Sequence, residues 1–153
     1  MKKVLLAVDD SKGAKVSVNA FVRLFSSTTV ETVILLNIQQ PGGKTLIHDR
    51  LGDSEISTLK EELLRSGKQA EMDKNSKEIL DSHRKTLEEN GITKVKTVIK
   101  LGHVADEILK TAEEEAVDMI IIGATRTLAQ KIFMGDVTRD VAHKAKVPVL
   151  LAR

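Results

Sequence analysis

The stretch AVDMIIIGATRTLAQKIFMGDVT, Ala116–Thr138, holds the reading of the fold. Met119–Ile122 is an unbroken apolar run, as a strand buried on both faces requires; a strand with one wet face would alternate. Gly123 closes the run, and beyond Gly135 the residues Val137, Val141 and Ala145 recur at helical spacing. A buried strand passing through glycines into a helix is the repeating unit of a parallel sheet covered by helices. Glycines at such a junction bring backbone N–H groups against anions, yet Arg126 and Asp136 stand between and beside them.

Towards the N-terminus the unit repeats. Val4–Val8 is a short buried strand, followed by Ser11 as N-cap and by Val18, Phe21, Val22 and Phe25 on one helical face. Val33–Ile38 is a second buried strand. The segment QQPGGKTLIHDRLGD, Gln39–Asp53, has turn chemistry and is long for a loop in a compact domain, so a lid or a protein contact is expected there. Residues 55–89 read as helix broken near Gly67, with Leu59 and Leu63 on one stripe and Ile79, His83 and Leu87 on another; His83 is taken as an ordinary helix-face residue. Asn90-Gly91 stops that helix. Val95–Ile99 is a third strand whose neighbouring Lys94, Lys96 and Lys100 mark an exposed edge. Gly102 and His103 turn into a helix carrying Val104, Ile108, Leu109, Ala112 and Ala116. Val149–Leu151, reached through Pro148, is the fifth strand, and Lys144 and Lys146 complement the dipole of the helix before it.

This alternation predicts right-handed crossovers and one α/β domain over residues 1–153, a doubly wound five-stranded parallel sheet with helices on both faces. In the order 3-2-1-4-5, strands one and four straddle the point where such sheets bind ligands. Asp9 would end one of them and Gly123 the other.

The composition narrows the function classes. The chain has 153 residues, 41% apolar and 30% charged, with no cysteine and four separated histidines. Neither a disulfide nor a zinc-type ligand cluster can be drawn from that set. A net charge of +2 and three phenylalanines as the whole aromatic content give neither the basic face nor the stacking platform of a nucleic-acid binder. The apolar run in MKKVLLAVDD is too short for a signal core or a membrane span, so the chain is read as cytoplasmic, without nucleic-acid or membrane partners.

Four pieces in order, VDDS at Asp9, LLNI ending strand two, LGHVADEILKTAEEEAVDMIIIGA and the terminal VPVLLAR, resemble the universal stress proteins over nearly the whole chain. The resemblance implies a fold of the adenine nucleotide alpha hydrolase type and a regulatory protein rather than an enzyme. It also implies a homodimer through the last strand, Val147–Arg153, an apolar edge that would otherwise be open to aggregation. One branch of the family binds ATP or AMP. Its motif runs Gly, two residues, Gly, nine residues, Gly and then Ser or Thr, so that backbone approaches ribose and phosphate and a helix N-terminus meets the phosphates. By this resemblance the candidate nucleotide site comprises Asp9, Ile38, Gly123, Arg126, Gly135, Asp136, Val137 and Thr138. Gly123 and Gly135 match the outer glycines. Arg126 replaces the middle one, only eight residues lie between it and Gly135, and Asp136 stands where Ser or Thr belongs.

As an N-cap, Asp136 would bring a negative charge to the place of the phosphates. Losing a charge-assisted hydrogen bond there costs about 1.5–3 kcal/mol, or roughly one to two decades in affinity. The expectation is therefore a homodimeric stress protein with weakened or lost ATP binding; the alternative is an ATP- or AMP-responsive regulator in which Arg126 binds phosphate. Asp9 can equally be a capping residue of the first helix. LLAVDD also resembles a two-component receiver, but strand three ends in IKLG without an acceptor aspartate, and no lysine follows strand five. The loops of an ATP-pyrophosphatase and of a flavodoxin are missing from DDSKGA as well, and no catalytic residue or metal site is assigned.

Overall fold

The fold comes from a computed structural model that describes residues 1–26, 29–40, 58, 61, 67–123 and 135–153, with only the backbone of residues 135 and 136. Five strands, β1 (Lys3–Ala7), β2 (Thr32–Gln39), β3 (Val95–Leu101), β4 (Met119–Gly123) and β5 (Val149–Ala152), form one sheet of order β3-β2-β1-β4-β5. Every neighbouring pair is parallel. The described helices are α1 (Lys12–Phe25), α2 (Lys68–Glu89), α3 (Val104–Glu114) and α4 (Gly135–Lys144). This is the doubly wound parallel sheet that the alternation implies, in the expected order 3-2-1-4-5.

The uninterrupted runs are central because both sides of each strand meet a core. Leu35 and Val33 of β2 pack with Val4 and Leu6 of β1 and with Val18, Phe21, Leu80 and Leu87 of α1 and α2. Ile34 and Leu36 point the other way, to Leu5, Ile120 and Ile122 and to Ala105, Ile108 and Val141 of α3 and α4. Burying such a side chain is worth about 1.5–3 kcal/mol. β3 is the lysine-bearing edge that the sequence foretells. Its lysines do more than guard it: Lys96 and Lys100 reach Glu115 and Glu114 at 2.6 and 3.0 Å, and Lys146 reaches Glu113 at 2.7 Å. Acidic groups at the C-terminal end of α3 oppose the helix dipole, and these three cations offset them. Lys146 therefore serves α3, a correction to its assignment to the last helix; Lys144 does lie in the last turn of α4.

At the edge of the sheet away from the strand C-termini, Asp118 ties β4 to β1. Its Oδ2 accepts the backbone N–H groups of Lys2 and Lys3 at 2.7 and 2.9 Å. Those bonds hold its carboxyl below the ordinary aspartate value of 3.8. A carboxyl with a lowered folded pKa adds stability above its unfolded value and loses it as pH falls through the folded one. Asp118→Ala should thus lower the urea midpoint by a constant amount at neutral pH, and the difference should close below about pH 4. A gap that persists undiminished at pH 2 would contradict this.

Candidate functional site

The site begins where β1 runs out. Val8 keeps one ladder bond, its N–H to Leu36 O at 2.8 Å, and the chain then leaves the sheet. Asp9 and Asp10 are exposed. Ser11 is the N-cap of α1 as expected, its Oγ accepting the N–H of Ala14 at 3.2 Å. Asp9 lends one oxygen to the same turn, since Oδ1 accepts the N–H of Ser11 at 2.8 Å. The capping reading of Asp9 thus accounts for one oxygen of an exposed carboxylate beyond the end of β1.

β2 extends further than β1, and that difference leaves a stretch of backbone edge without a strand beside it. Along a strand, successive backbone groups turn to opposite neighbours. Leu36 O faces β1, where it receives Val8 N–H, and Gln39 O faces β3, where it receives Gly102 N–H at 3.1 Å. Ile38 shares the direction of Leu36, two residues on. Its N–H and C=O therefore point to the β1 side of the sheet, where β1 has already ended. A donor and an acceptor on one residue at a strand end can hold the edge of a planar heterocycle.

Gly123 ends β4 and pairs with Ala152 of β5. A Cβ there would lie 1.9 Å from Gly13 O and 2.2 Å from Gly13 C, in the first turn of α1. This glycine is thus required by backbone packing whether or not a ligand approaches. The ends of β2, β1 and β4 lie side by side, about 10 Å across at two strand spacings. Asp9, Ile38 and Gly123 are brought together there.

Gly135 opens α4, so Asp136 is the second residue of the helix and not its N-cap, a correction of two positions. The start of a helix is set by backbone hydrogen bonding, which side-chain type at the boundary does not fix to the residue. Asp136 still belongs to the first turn, the positive end of the dipole. Val137 and Thr138 follow, both half-buried, with Val137 packed on the core under α4. Arg126 lies outside the described residues, as does the segment after Gln40 through residue 53. Among the described residues no group of three or more His, Cys, Asp or Glu could hold a metal ion.

Spacing alone does not single out four other residues. Asn37 donates from Nδ2 to Val8 O at 2.9 Å. Gln39 donates to Asp73 and Ser76 of α2 at 2.9 and 3.0 Å. His83 is 6% exposed and its Nε2 lies 3.0 Å from Asp9 O. The backbone of Gly13 lies against Gly123, where an added Cβ would meet its carbonyl. The available signal was the pair Asn37 and Gln39, polar at alternate positions of an otherwise apolar strand.

The sequence model of the Universal stress protein family matches residues 1–153. The chain belongs to that family. It is 31% identical over 156 aligned residues to universal stress protein MJ0577 of Methanocaldococcus jannaschii, covering 99% of this chain and 94% of that one. A solved structure of MJ0577 superposes with a TM-score of 0.73 at 29% identity, over 99% of this chain and 94% of that chain. An Arabidopsis thaliana family member solved with AMP bound has a TM-score of 0.65 at 17% identity, with 99% and 91% covered, and supports the fold of this universal stress protein.

Proposed function

We propose that this universal stress protein is a cytoplasmic, homodimeric regulator, not an enzyme, that keeps the adenine side of the family's nucleotide site and has a weakened triphosphate side. The observation that carries the reading is the pairing of Ile38's backbone edge and Asp9, at adjacent strand ends, with an acidic residue in the first turn of α4. The first two suit a base and its sugar; the third opposes a chain of phosphates. AMP bound in a family relative shows what the fold accommodates, in that protein. The second reading, an ATP- or AMP-responsive regulator, rests on Arg126 supplying the cation that Asp136 counteracts. The loop Gln39–Asp53 is the proposed place for a protein partner.

The chain has no Trp and no Tyr. Carried-over adenine nucleotide would therefore dominate absorbance near 260 nm in the purified protein. No such band is expected for ATP, and a stoichiometric ATP band would overturn the weakened-site reading.

The dimer is proposed through Val147–Arg153, since β5 is an edge strand on which Leu151 is 40% exposed. Sedimentation at micromolar concentration is expected to give a dimer, and Leu151→Lys to shift it to monomer, because a charge on an exposed edge discourages strand contact. A monomer from the unaltered chain would reject this assignment.

A further inference from the structure

His83 sits about two-thirds along α2, in line with the buried Leu80 and Leu87. Position 83 lies between core positions, and a leucine there would extend the apolar stripe without any polar group to satisfy. A buried imidazole without a partner costs free energy, and this one has a specific partner 74 residues away, the carbonyl oxygen of Asp9 at 3.0 Å. That oxygen can only accept, so Nε2 must carry the hydrogen.

The direction of the Asp9 side chain depends on the two peptide planes that flank its Cα. Asn37 holds the first, through Val8 O at 2.9 Å. His83 holds the second, through Asp9 O. With both planes pinned, φ and ψ of Asp9 are set and the Cα–Cβ bond can point in one direction only. Neither bond alone achieves that. The hydrogen bond from Ser11 N–H to Asp9 Oδ1 then selects the rotamer.

We propose that His83 is a positioning residue of the nucleotide site, acting from α2 through the Asp9 carbonyl to aim the Asp9 carboxylate at the crevice beyond β1. The inference rests on the nucleotide reading above, but its geometric half can be tested without a ligand. In His83→Leu, amide exchange at Ser11 should quicken about tenfold relative to core amides such as those of Leu35 and Ile121, whereas a merely structural loss would move all of them together. His83→Gln, which keeps an N–H donor at similar reach, should restore the slow rate. Nitrogen NMR of the unaltered chain should show the Nε2–H tautomer.

AMP titrated into the Arg126→Gly/Asp136→Ser chain should bind about tenfold more weakly once His83→Leu is added, and near normally with His83→Gln. Unchanged Ser11 exchange, equal effects of leucine and glutamine, or an Nδ1–H tautomer would overturn the proposal. Failure of AMP to bind any of these chains would instead defeat the nucleotide reading, and the Ser11 rates would still decide whether His83 sets the Asp9 turn.

Discussion

Gly123→Ala is expected to cost about 3 kcal/mol or more, at the upper end of what overpacking a core does. The added methyl would meet the carbonyl oxygen of Gly13 at 1.9 Å and its carbonyl carbon at 2.2 Å. Both are backbone atoms inside the first turn of α1, so no side-chain rotation can relieve the contact. α1 would have to lift from the end of β4, at the place where Ala14 and Val18 enter the core. Gly91 provides the comparison. It has φ +83 and open space where a Cβ would go, so Gly91→Ala carries only the backbone strain of about 1–2 kcal/mol. For a chain of this size the Gly123 change corresponds to a fall of roughly 6–12 °C in Tm. Urea midpoints of the two variants against the parent measure it. A Gly123→Ala protein as stable as Gly91→Ala would show that α1 and β4 can separate at little cost.

That prediction alters what the glycine means. The motif resemblance assigns Gly123 to the ligand, while the packing makes it necessary in an empty protein as well. Its presence in this chain is thus no sign that a nucleotide is bound. The weight of the ligand question falls on the other candidate positions, Asp9, the backbone edge of Ile38, and Asp136.

The sheet was legible because burial on both faces leaves a local mark. Val4–Val8, Val33–Ile38 and Met119–Ile122 are continuous apolar runs, and the edge strand β3 is flanked by lysines. The ends shift by a residue because apolarity reports burial while a strand ends where its ladder ends. Lys3 pairs with Thr32 although it is charged, and Val8 is buried although it keeps only one ladder bond. The framework around Asp9 was not legible. Asn37 to Val8, His83 to Asp9 and Gly13 to Gly123 are contacts between residues 29, 74 and 110 positions apart, the last from 123 − 13. Periodicity carries information over a few turns only, so His83 on an amphipathic stripe reads as one more face residue until the fold supplies the carbonyl opposite it.

Exchanging Arg126→Gly and Asp136→Ser together should strengthen binding of Mg-ATP by about one to two decades, the equivalent of restoring one charge-assisted hydrogen bond of about 1.5–3 kcal/mol. Asp136 lies in the first turn of α4. A carboxylate in the first turn of a helix takes the favourable dipole interaction that phosphate oxygens would take, and it repels them besides. The repulsion grows with the number of phosphates, so AMP should gain less than ATP from the exchange. It is also screened, so raising the salt should narrow the difference between the parent and Asp136→Ser. The single variants divide the two roles of Arg126. If the arginine neutralises Asp136, Arg126→Gly alone weakens binding further, because the carboxylate is left uncompensated, and Asp136→Ser alone gives most of the gain. If the arginine holds phosphate itself, the parent binds ATP tightly in calorimetry, Arg126→Gly abolishes that binding, and Asp136→Ser adds little. The second pattern would return the protein to the nucleotide-responsive reading, with Arg126 as a phosphate ligand.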